Sequence, residues 1–175
     1  MMKSKKKFSV VMAVLTLMVA GAAGFAQRHL IAASAARLIS RPDVKMQLSG
    51  TVERESGAVP LEKATVVTQG EILAWTITSE NTGNAAALEY KTVGHIPRGT
   101  TFVADSAKAD GASTAYSIDG GKSYSAQPTI EEKQDDGSVK RVPAPVSMYT
   151  EIRYEWSDPL AQGGKLSASY KVRVK

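Results

Sequence analysis

The feature that most constrains the fold is a strict two-residue alternation of side chains at the C-terminal end of the chain. Its apolar positions are Leu166, Ala168, Tyr170, Val172 and Val174, and the positions between them are polar or charged. Successive side chains of a β-strand point to opposite faces of the sheet, so the pattern predicts a strand with one buried face. An amphipathic helix would instead need apolar residues three and four positions apart.

The same rhythm recurs along the chain. Residues 44–52, 72–78, 87–93, 100–104 and 150–156 are short runs of this kind, separated by turn-forming stretches rich in Gly, Pro and Asn. Asp-Gly turns within 119–122 and 135–138 predict two hairpins, which join 115–118 to 123–125 and 129–133 to 139–142. Short strands without a long amphipathic helix predict an antiparallel β-sandwich, with a closed barrel as the alternative.

The large aromatic residues are expected inside the sandwich. Trp75, Trp156, Tyr154 and Tyr170 are in phase with aliphatic neighbours on their strands. A tryptophan can also serve as a stacking platform for sugars, but periodicity favours the core here. In the second hairpin, Glu131-Glu132 and Lys140-Arg141 are expected to pair across the strands as a surface charge match.

Residues 1–26 have the pattern of a secretory signal peptide. A cluster of lysines precedes an apolar run at 8–19 and then small residues, which favour cleavage after Ala26, with Ala22 as the other site that fits. An uncleaved anchor is the alternative, because residues 8–26 approach the roughly 20 residues of a membrane span. Both readings predict export, with a periplasmic, cell-surface or extracellular location.

Residues 27–43 are expected to form an arm or linker. Leu30, Ile31, Ala35 and Leu38 lie near helical spacing, and Pro42 disfavours a helix at the residue before it. We therefore predict a short helical or flexible segment.

The charge of the chain argues against nucleic-acid binding. The formal net charge is +5, from 22 Lys and Arg against 17 Asp and Glu. Lys3, Lys5, Lys6 and Lys7 belong to the leader, and without them 18 basic residues remain against the 17 acidic ones. No basic stripe is left to neutralise a phosphate backbone. The chain has no cysteine, which excludes disulfides, thiolate zinc sites and cysteine nucleophiles.

Two sequence motifs occur one after the other in the middle of the chain. Residues 67–84 contain Gly70-Glu71, an alternating strand and then Asn81-Thr82-Gly83, and residues 96–103 begin with Ile96-Pro97 and end with Phe102-Val103. With residues 116–122, 152–154 and the closing strand, they resemble the bacterial conserved repeat domain, the eleventh of the families called domains of unknown function. The resemblance covers about residues 65–175.

This resemblance implies an immunoglobulin-like sandwich of secreted and cell-surface proteins, with no known catalytic residues. The family commonly has an acidic residue shortly before its Leu-Pro pair, where this chain has Gly94 and His95. A calcium- or partner-binding role of that acidic residue is therefore not implied here. The expected fold is all-β: an antiparallel immunoglobulin-like β-sandwich at 44–175, preceded by the signal peptide (1–26) and the arm (27–43).

No catalytic, cofactor or metal site is predicted. His29 and His95 are far apart in sequence, so a shared metal site is not expected. A cleft between the loops of His95 and Asp105 is the best place for an enzyme site, but an ordinary loop with hydrogen-bonded polar groups is favoured there. Asp119 and the pair Asp135-Asp136 suggest calcium, but Asp is favoured at such turns by the turn itself, and the alternating ligand spacing of a calcium loop is missing.

These observations predict an exported, non-enzymatic structural, adhesion or binding module of a bacterial envelope or extracellular matrix. Its expected partners are an envelope or extracellular protein or polymer, with self-association included, and no nucleic acid or membrane span after signal cleavage. The alternative is a subunit of an extracellular filament, in which the arm or the strand at 44–52 adds to the open sheet edge of a neighbour.

Overall fold

A computed structural model describes residues 40–175, and residues 41–175 form one compact unit. Two single turns of 3-10 helix, Leu61–Lys63 and Val146–Met148, accompany strands that all pair antiparallel. The prediction of an all-β antiparallel fold is confirmed. The predicted signal peptide and residues 27–39 of the predicted arm lie outside the described residues.

The described residues contain ten strands. In chain order they are β1 (Val44–Arg54), β2 (Gly57–Pro60), β3 (Ile72–Asn81), β4 (Lys91–His95), β5 (Thr100–Phe102), β6 (Ala112–Ser117), β7 (Thr129–Lys133), β8 (Val139–Pro143), β9 (Glu151–Trp156) and β10 (Lys165–Val174).

Two sheets of unequal width form the sandwich. The large sheet has the strand order β2-β1-β3-β10-β5, and the small sheet has the order β4-β9-β6. Strands β7 and β8 form a separate hairpin. Its register pairs Glu131 with Arg141 and Glu132 with Lys140, which confirms the charge match predicted from the sequence.

The core lies where the small sheet covers the large one. Val52 and Val172 of the large sheet and Ile152 and Tyr154 of the small sheet are fully buried, and Trp156 is nearly so. Each fully buried aliphatic side chain of this size stabilises the fold by roughly 1.5–3 kcal/mol. The predicted interior positions of Tyr154, Trp156 and Tyr170 are therefore confirmed.

Hydroxyl groups of tyrosines join the two sheets across this core. Tyr154 Oη donates to the Ser169 carbonyl oxygen at 2.8 Å, and Tyr90 Oη donates to Ser79 Oγ at 2.8 Å. Burial raises the pKa of the Tyr154 hydroxyl well above its usual range. A buried hydroxyl needs such a partner, so these bonds fix the sheets relative to each other.

Asn81 holds the beginning of β1 against the end of β3. Its amide oxygen accepts from the backbone N–H groups of Asp43 and Gly83, at 3.2 and 3.1 Å. Its amide nitrogen donates to the carbonyl oxygens of Ala85 and Leu160, at 2.7 and 2.9 Å. These four bonds use the full capacity of a side-chain amide, so a fully buried polar group is satisfied.

Three details of the strand prediction were wrong. Residues 87–93 are not one strand: Ala87 forms a single bridge with Leu160, and Glu89 has a φ of 49°, which breaks the pleat before β4 starts. Residues 123–125 contribute only a bridge between Ser125 and Tyr116. Strand β2 was not predicted.

Candidate functional site

An open apolar groove of about 350 Å³ lies between β1 and β4. We call it the edge groove, and its main lining residues are Met46, Leu48, Trp75, Ile77, Val93 and Tyr170. Two of these side chains are largely exposed, Met46 at 64% and Leu48 at 58%. The groove therefore offers accessible apolar surface, and its most exposed part is formed by these two side chains.

The groove is open because the small sheet is too narrow to cover the whole of the large one. The small sheet ends at β4, and across the groove Thr92 Oγ1 donates to the sulfur of Met46 at 3.3 Å. Within residues 40–175 no further strand lies beside β4. The expectation that the apolar face of residues 44–52 is buried along its length is therefore wrong for Met46 and Leu48 and correct for Val52.

Trp75 differs from the prediction as well, because it is only partly buried and lines the groove. Gly50 lies opposite it on β1, and a Cβ atom at Gly50 would come within 2.9 Å of the indole ring. The missing side chain lets the ring lie against β1. The indole Nε1–H is buried and has no acceptor among the described residues. An unsatisfied buried donor of this kind destabilises by about 1–3 kcal/mol.

Tyr170 packs beneath β4 because Gly94 leaves room for its ring. A Cβ atom at Gly94 would overlap that ring. The hydroxyl of Tyr170 donates to the carbonyl oxygen of His95 at 2.6 Å, and burial raises the pKa of this hydroxyl to about 12. The Tyr170 hydroxyl therefore occupies one backbone carbonyl on the outer edge of β4.

A polar cluster lies on the outer face of the small sheet, beside the groove. His95 Nδ1 is 3.0 Å from Glu151 Oε1, and the hydroxyl of Tyr124 donates to Glu151 Oε2. Arg153 lies over the Tyr124 ring at 4.1 Å from its centroid. Burial, together with the hydrogen bond to Glu151, raises the pKa of Tyr124 to about 12. The Glu151 carboxylate thus connects β4, β9 and the loop after β6.

The sequence-predicted candidates do not converge on one place. The side chain of His95 is 75% exposed and pairs with Glu151, and among the described residues no contact joins it to Asp105. His29 lies outside the described residues. Within residues 40–175, no group of three or more His, Asp or Glu side chains is arranged to hold a metal ion.

The aspartates at the hairpin tips are engaged by their own turns. Asp119 accepts hydrogen bonds from the hydroxyl of Ser123 at 2.5 Å and from the hydroxyl of Ser117 at 2.7 Å. These bonds and those from backbone N–H groups hold the pKa of Asp119 well below its usual range. Asp136 accepts from the backbone N–H of Ser138 at 2.9 Å. Both carboxylates therefore have a structural role in the turn.

Sequence reasoning missed the edge groove. The groove depends on how the strands are divided between the two sheets, and the side-chain period of a single strand carries no signal for that division. Among the described residues, no helix has the length and apolar character needed to cross a membrane. Comparisons with protein-family models, with curated proteins and with solved structures give no match to this chain.

Proposed function

We propose that the chain is an exported, non-enzymatic structural, adhesion or binding module of a bacterial envelope or extracellular matrix. The observation that supports this most is the edge groove, in which exposed apolar side chains lie between two strands whose outer edges are unpaired among residues 40–175. An exposed edge beside an apolar groove suits an extended segment of another chain, because backbone hydrogen bonds give affinity and side-chain pockets give specificity.

The backbone at β4 supports binding of an extended segment. Trp156 N–H donates to the Tyr90 carbonyl at 3.1 Å, and Ile96 N–H donates to the Thr150 carbonyl at 2.9 Å. Because bonding alternates along an antiparallel ladder, the backbone groups of Val93 face the open side of β4. A segment bound there would add a strand to the small sheet.

The polar groups around the groove argue for binding over catalysis. The pair formed by His95 and Glu151 is on the outer face, and its Glu151 carboxylate is also held by Tyr124. Among the described residues, the recorded partner of the His95 imidazole is the Glu151 carboxylate, and the Tyr170 hydroxyl bonds to the His95 backbone carbonyl. Nucleophilic catalysis requires a nucleophile within hydrogen-bond reach of its base.

Export rests on the leader at residues 1–26, which has the lysine cluster, apolar run and small residues of a signal peptide. The resemblance to the conserved repeat domain points to the same compartment, since that family occurs in secreted and cell-surface proteins. An immunoglobulin-like sandwich is the finer fold that this resemblance proposes.

The test is fractionation of the native cells, followed by mass spectrometry of the N-terminus and of cross-linked neighbours. A photo-reactive residue at Met46 probes the groove, and the same residue at Gln47 is the matched control on the opposite face of β1. We expect an exported protein whose cross-links to an envelope component form from position 46 and not from position 47. A cytoplasmic protein, or equal cross-linking of that envelope component from both positions, would contradict the proposal.

An enzymatic role makes a different prediction. A hydrolytic or transfer activity of the purified chain that is abolished by His95→Ala or Glu151→Gln, with unfolding midpoints unchanged, would overturn the non-enzymatic assignment.

The second candidate function is a filament subunit assembled by strand addition. The observation that favours it is the outer edge of β1 before Thr51, where β2 ends and no other described strand pairs. Electron microscopy of the exported protein tests it: filaments that disappear on deletion of residues 27–41 support the alternative, and a monomer unchanged by that deletion counts against it.

A further inference from the structure

The sequence contains Asp-Gly pairs in three different surroundings. They are Asp110-Gly111, Asp119-Gly120 and Asp136-Gly137. In such a pair the backbone nitrogen of the glycine can attack the side-chain carboxyl carbon of the aspartate, because glycine has no side chain to block the approach. The fold decides whether the two groups are available to each other.

The reaction needs a neutral carboxyl group and a backbone N–H that is free to react. The glycine nitrogen bonds to the carboxyl carbon, the carboxyl hydroxyl leaves with the N–H proton as water, and a five-membered succinimide ring results. Water then opens the ring at either carbonyl. Opening at the side-chain carbonyl restores aspartate. Opening at the backbone carbonyl gives isoaspartate, in which the main chain runs through the side-chain methylene group. The water gained equals the water lost, so the product has the mass of the starting chain.

Both reacting groups of Asp119-Gly120 are engaged. The Asp119 carboxylate accepts from the hydroxyls of Ser117 and Ser123, at 2.7 and 2.5 Å. The Gly120 N–H donates to Thr150 Oγ1 at 3.1 Å. The bonds to the carboxylate also hold the pKa of Asp119 well below its usual range, so less of the neutral carboxyl form is present. Ring closure at this pair must first break several hydrogen bonds.

Asp136-Gly137 is engaged in the same way at the tip of the β7–β8 hairpin. The Asp136 carboxylate accepts from the backbone N–H of Ser138 at 2.9 Å, which lowers the pKa of this carboxyl. The Gly137 N–H donates to the Gln134 carbonyl at 2.9 Å. The nucleophile and the carboxyl group of this pair are therefore both held by the turn.

Asp110-Gly111 lies in the turn before β6, and both residues are exposed. Within residues 40–175, the Asp110 carboxylate has no hydrogen-bond or ion-pair partner, and the Gly111 N–H has no acceptor. The turn is closed by a bond from the Ala112 N–H to the Ala109 carbonyl at 3.3 Å, longer than the usual length of about 2.9–3.0 Å. Both groups that must react are therefore available.

The indole of Trp156 acts on the same peptide group. Its Nε1–H donates to the Asp110 carbonyl oxygen at 2.9 Å, and the nitrogen of that peptide bond belongs to Gly111. A hydrogen bond to a carbonyl oxygen polarises the whole amide, so the N–H proton is lost more easily. The buried indole therefore activates the attacking nitrogen.

We propose that Asp110-Gly111 is a site of spontaneous modification, at which Asp110 converts to isoaspartate through a succinimide while Asp119 and Asp136 stay intact. Water is the one reactant that the conversion takes from outside the chain. The proposal does not depend on the proposed function, because it follows from the surroundings of the three pairs.

The conversion should loosen one edge of the small sheet. It lengthens the main chain by one methylene group directly before β6, and the carbonyl that accepted the indole N–H becomes a pendant carboxylate. Ala112, the first residue of β6, lies opposite Trp156 on β9. Its alignment depends on the turn that the conversion changes. Hydrogen exchange should therefore become faster at the beginning of β6 than in β3.

The first test follows the full chain during incubation at neutral pH. Peptides that contain aspartate and isoaspartate have equal mass but separate in chromatography, and electron-transfer fragmentation assigns the position. Isoaspartate should form at position 110 at least about tenfold faster than at 119 and 136, because the other two pairs must first break hydrogen bonds. In denaturant the three pairs should react at similar rates, since glycine follows the aspartate in each.

The second test uses Asp110→Glu, which keeps the charge at this exposed position. A glutamate closes a ring with one more atom, and it does so less readily. The aged natural chain should show faster exchange at the beginning of β6 than the fresh chain. Aged Asp110→Glu should exchange like its own fresh sample.

Three results would overturn the proposal. The first is no isoaspartate at position 110, and the second is equal or faster conversion at 119 or 136 in the folded chain. The third is the same rate difference among the three pairs in denaturant, which would assign the difference to the local sequence and not to the fold.

Discussion

Val52 and Leu48 lie on the same face of β1, four positions apart, and their surroundings differ completely. Val52 is fully buried, whereas Leu48 is 58% exposed. Beside Val52 the strand pairs with β2, and the residue belongs to the core between the sheets. Beside Leu48, within the part of the chain that the structure describes, no strand pairs with the outer edge of β1 and the small sheet ends at β4. One strand therefore contains both a closed and an open part of the sandwich.

This difference separates two contributions to a β-sheet. Pairing of β1 with β3 is continuous through both parts, so hydrogen bonding to β3 does not distinguish them. What changes is the cover provided by a second sheet and by β2. Stability should therefore be concentrated in the closed part, and binding capacity in the open part.

The largest effect is expected when a buried side chain of the closed part is shortened. Ile152→Ala removes a fully buried side chain and should lower the free energy of unfolding by about 2–5 kcal/mol, through lost apolar burial and the cavity left behind. Leu48→Ala, in the open part, should change it by less than about 0.5 kcal/mol in the monomer. Urea unfolding followed by tryptophan fluorescence measures both.

Equal losses in these two variants would mean that Leu48 is covered in solution and that the comparison does not hold. The measurement should be made at low protein concentration, so that self-association does not stabilise the natural sequence.

Adding a methyl group at the boundary of the two parts should have the next largest effect on stability. Gly94→Ala places a Cβ atom where the ring of Tyr170 lies, and such overpacking typically destabilises by about 1–3 kcal/mol. Val93→Ala is the matched control on the neighbouring, partly exposed position. Thermal unfolding monitored by circular dichroism checks the pair, and a neutral Gly94→Ala would show that β4 can move away from β10 freely.

Much of the closed part could be predicted from the sequence. The alternation at Leu166 to Val174 and at Thr150 to Trp156 predicted two strands and the faces on which their aromatic residues are buried. The Asp-Gly turn after Lys133 predicted the last hairpin and the pairing of Glu131 with Arg141. Each of these signals is local, because the period of the side chains and the geometry of a tight turn depend on near neighbours.

The open part could not be predicted in the same way. Alternation at residues 44–52 identifies the face on which Leu48 lies, but whether that face is covered depends on the width of the opposite sheet. For the same reason, the partial exposure of Trp75 had no local signal. The interruption before β4 depends on the positive φ of Glu89, a residue type that gives little indication of that conformation.

A smaller effect is expected from the hydroxyl that joins β10 to the edge of β4. Tyr170→Phe removes the hydrogen bond to the His95 carbonyl and keeps the buried ring, so it should destabilise by about 0.5–1.5 kcal/mol. Hydrogen exchange should also become faster at β4 than at β9, because the bond restrains the edge strand. Uniformly faster exchange across the small sheet would indicate a global loss of stability instead of a local one.

The smallest effect concerns the turn at Asp119 and its dependence on pH. Hydrogen bonds from Ser123 and Ser117 lower the pKa of this carboxyl in the folded state, so the unfolded chain binds the proton more readily. The stabilisation is complete above the unfolded-state pKa of about 3.9 and is lost as the pH falls through the folded-state pKa. Asp119→Ala should therefore show a smaller loss of stability on acidification than the natural sequence. Asp135→Ala, at the other hairpin tip, should retain the natural acid dependence, and if both variants respond alike, the effect belongs to net charge and not to the turn.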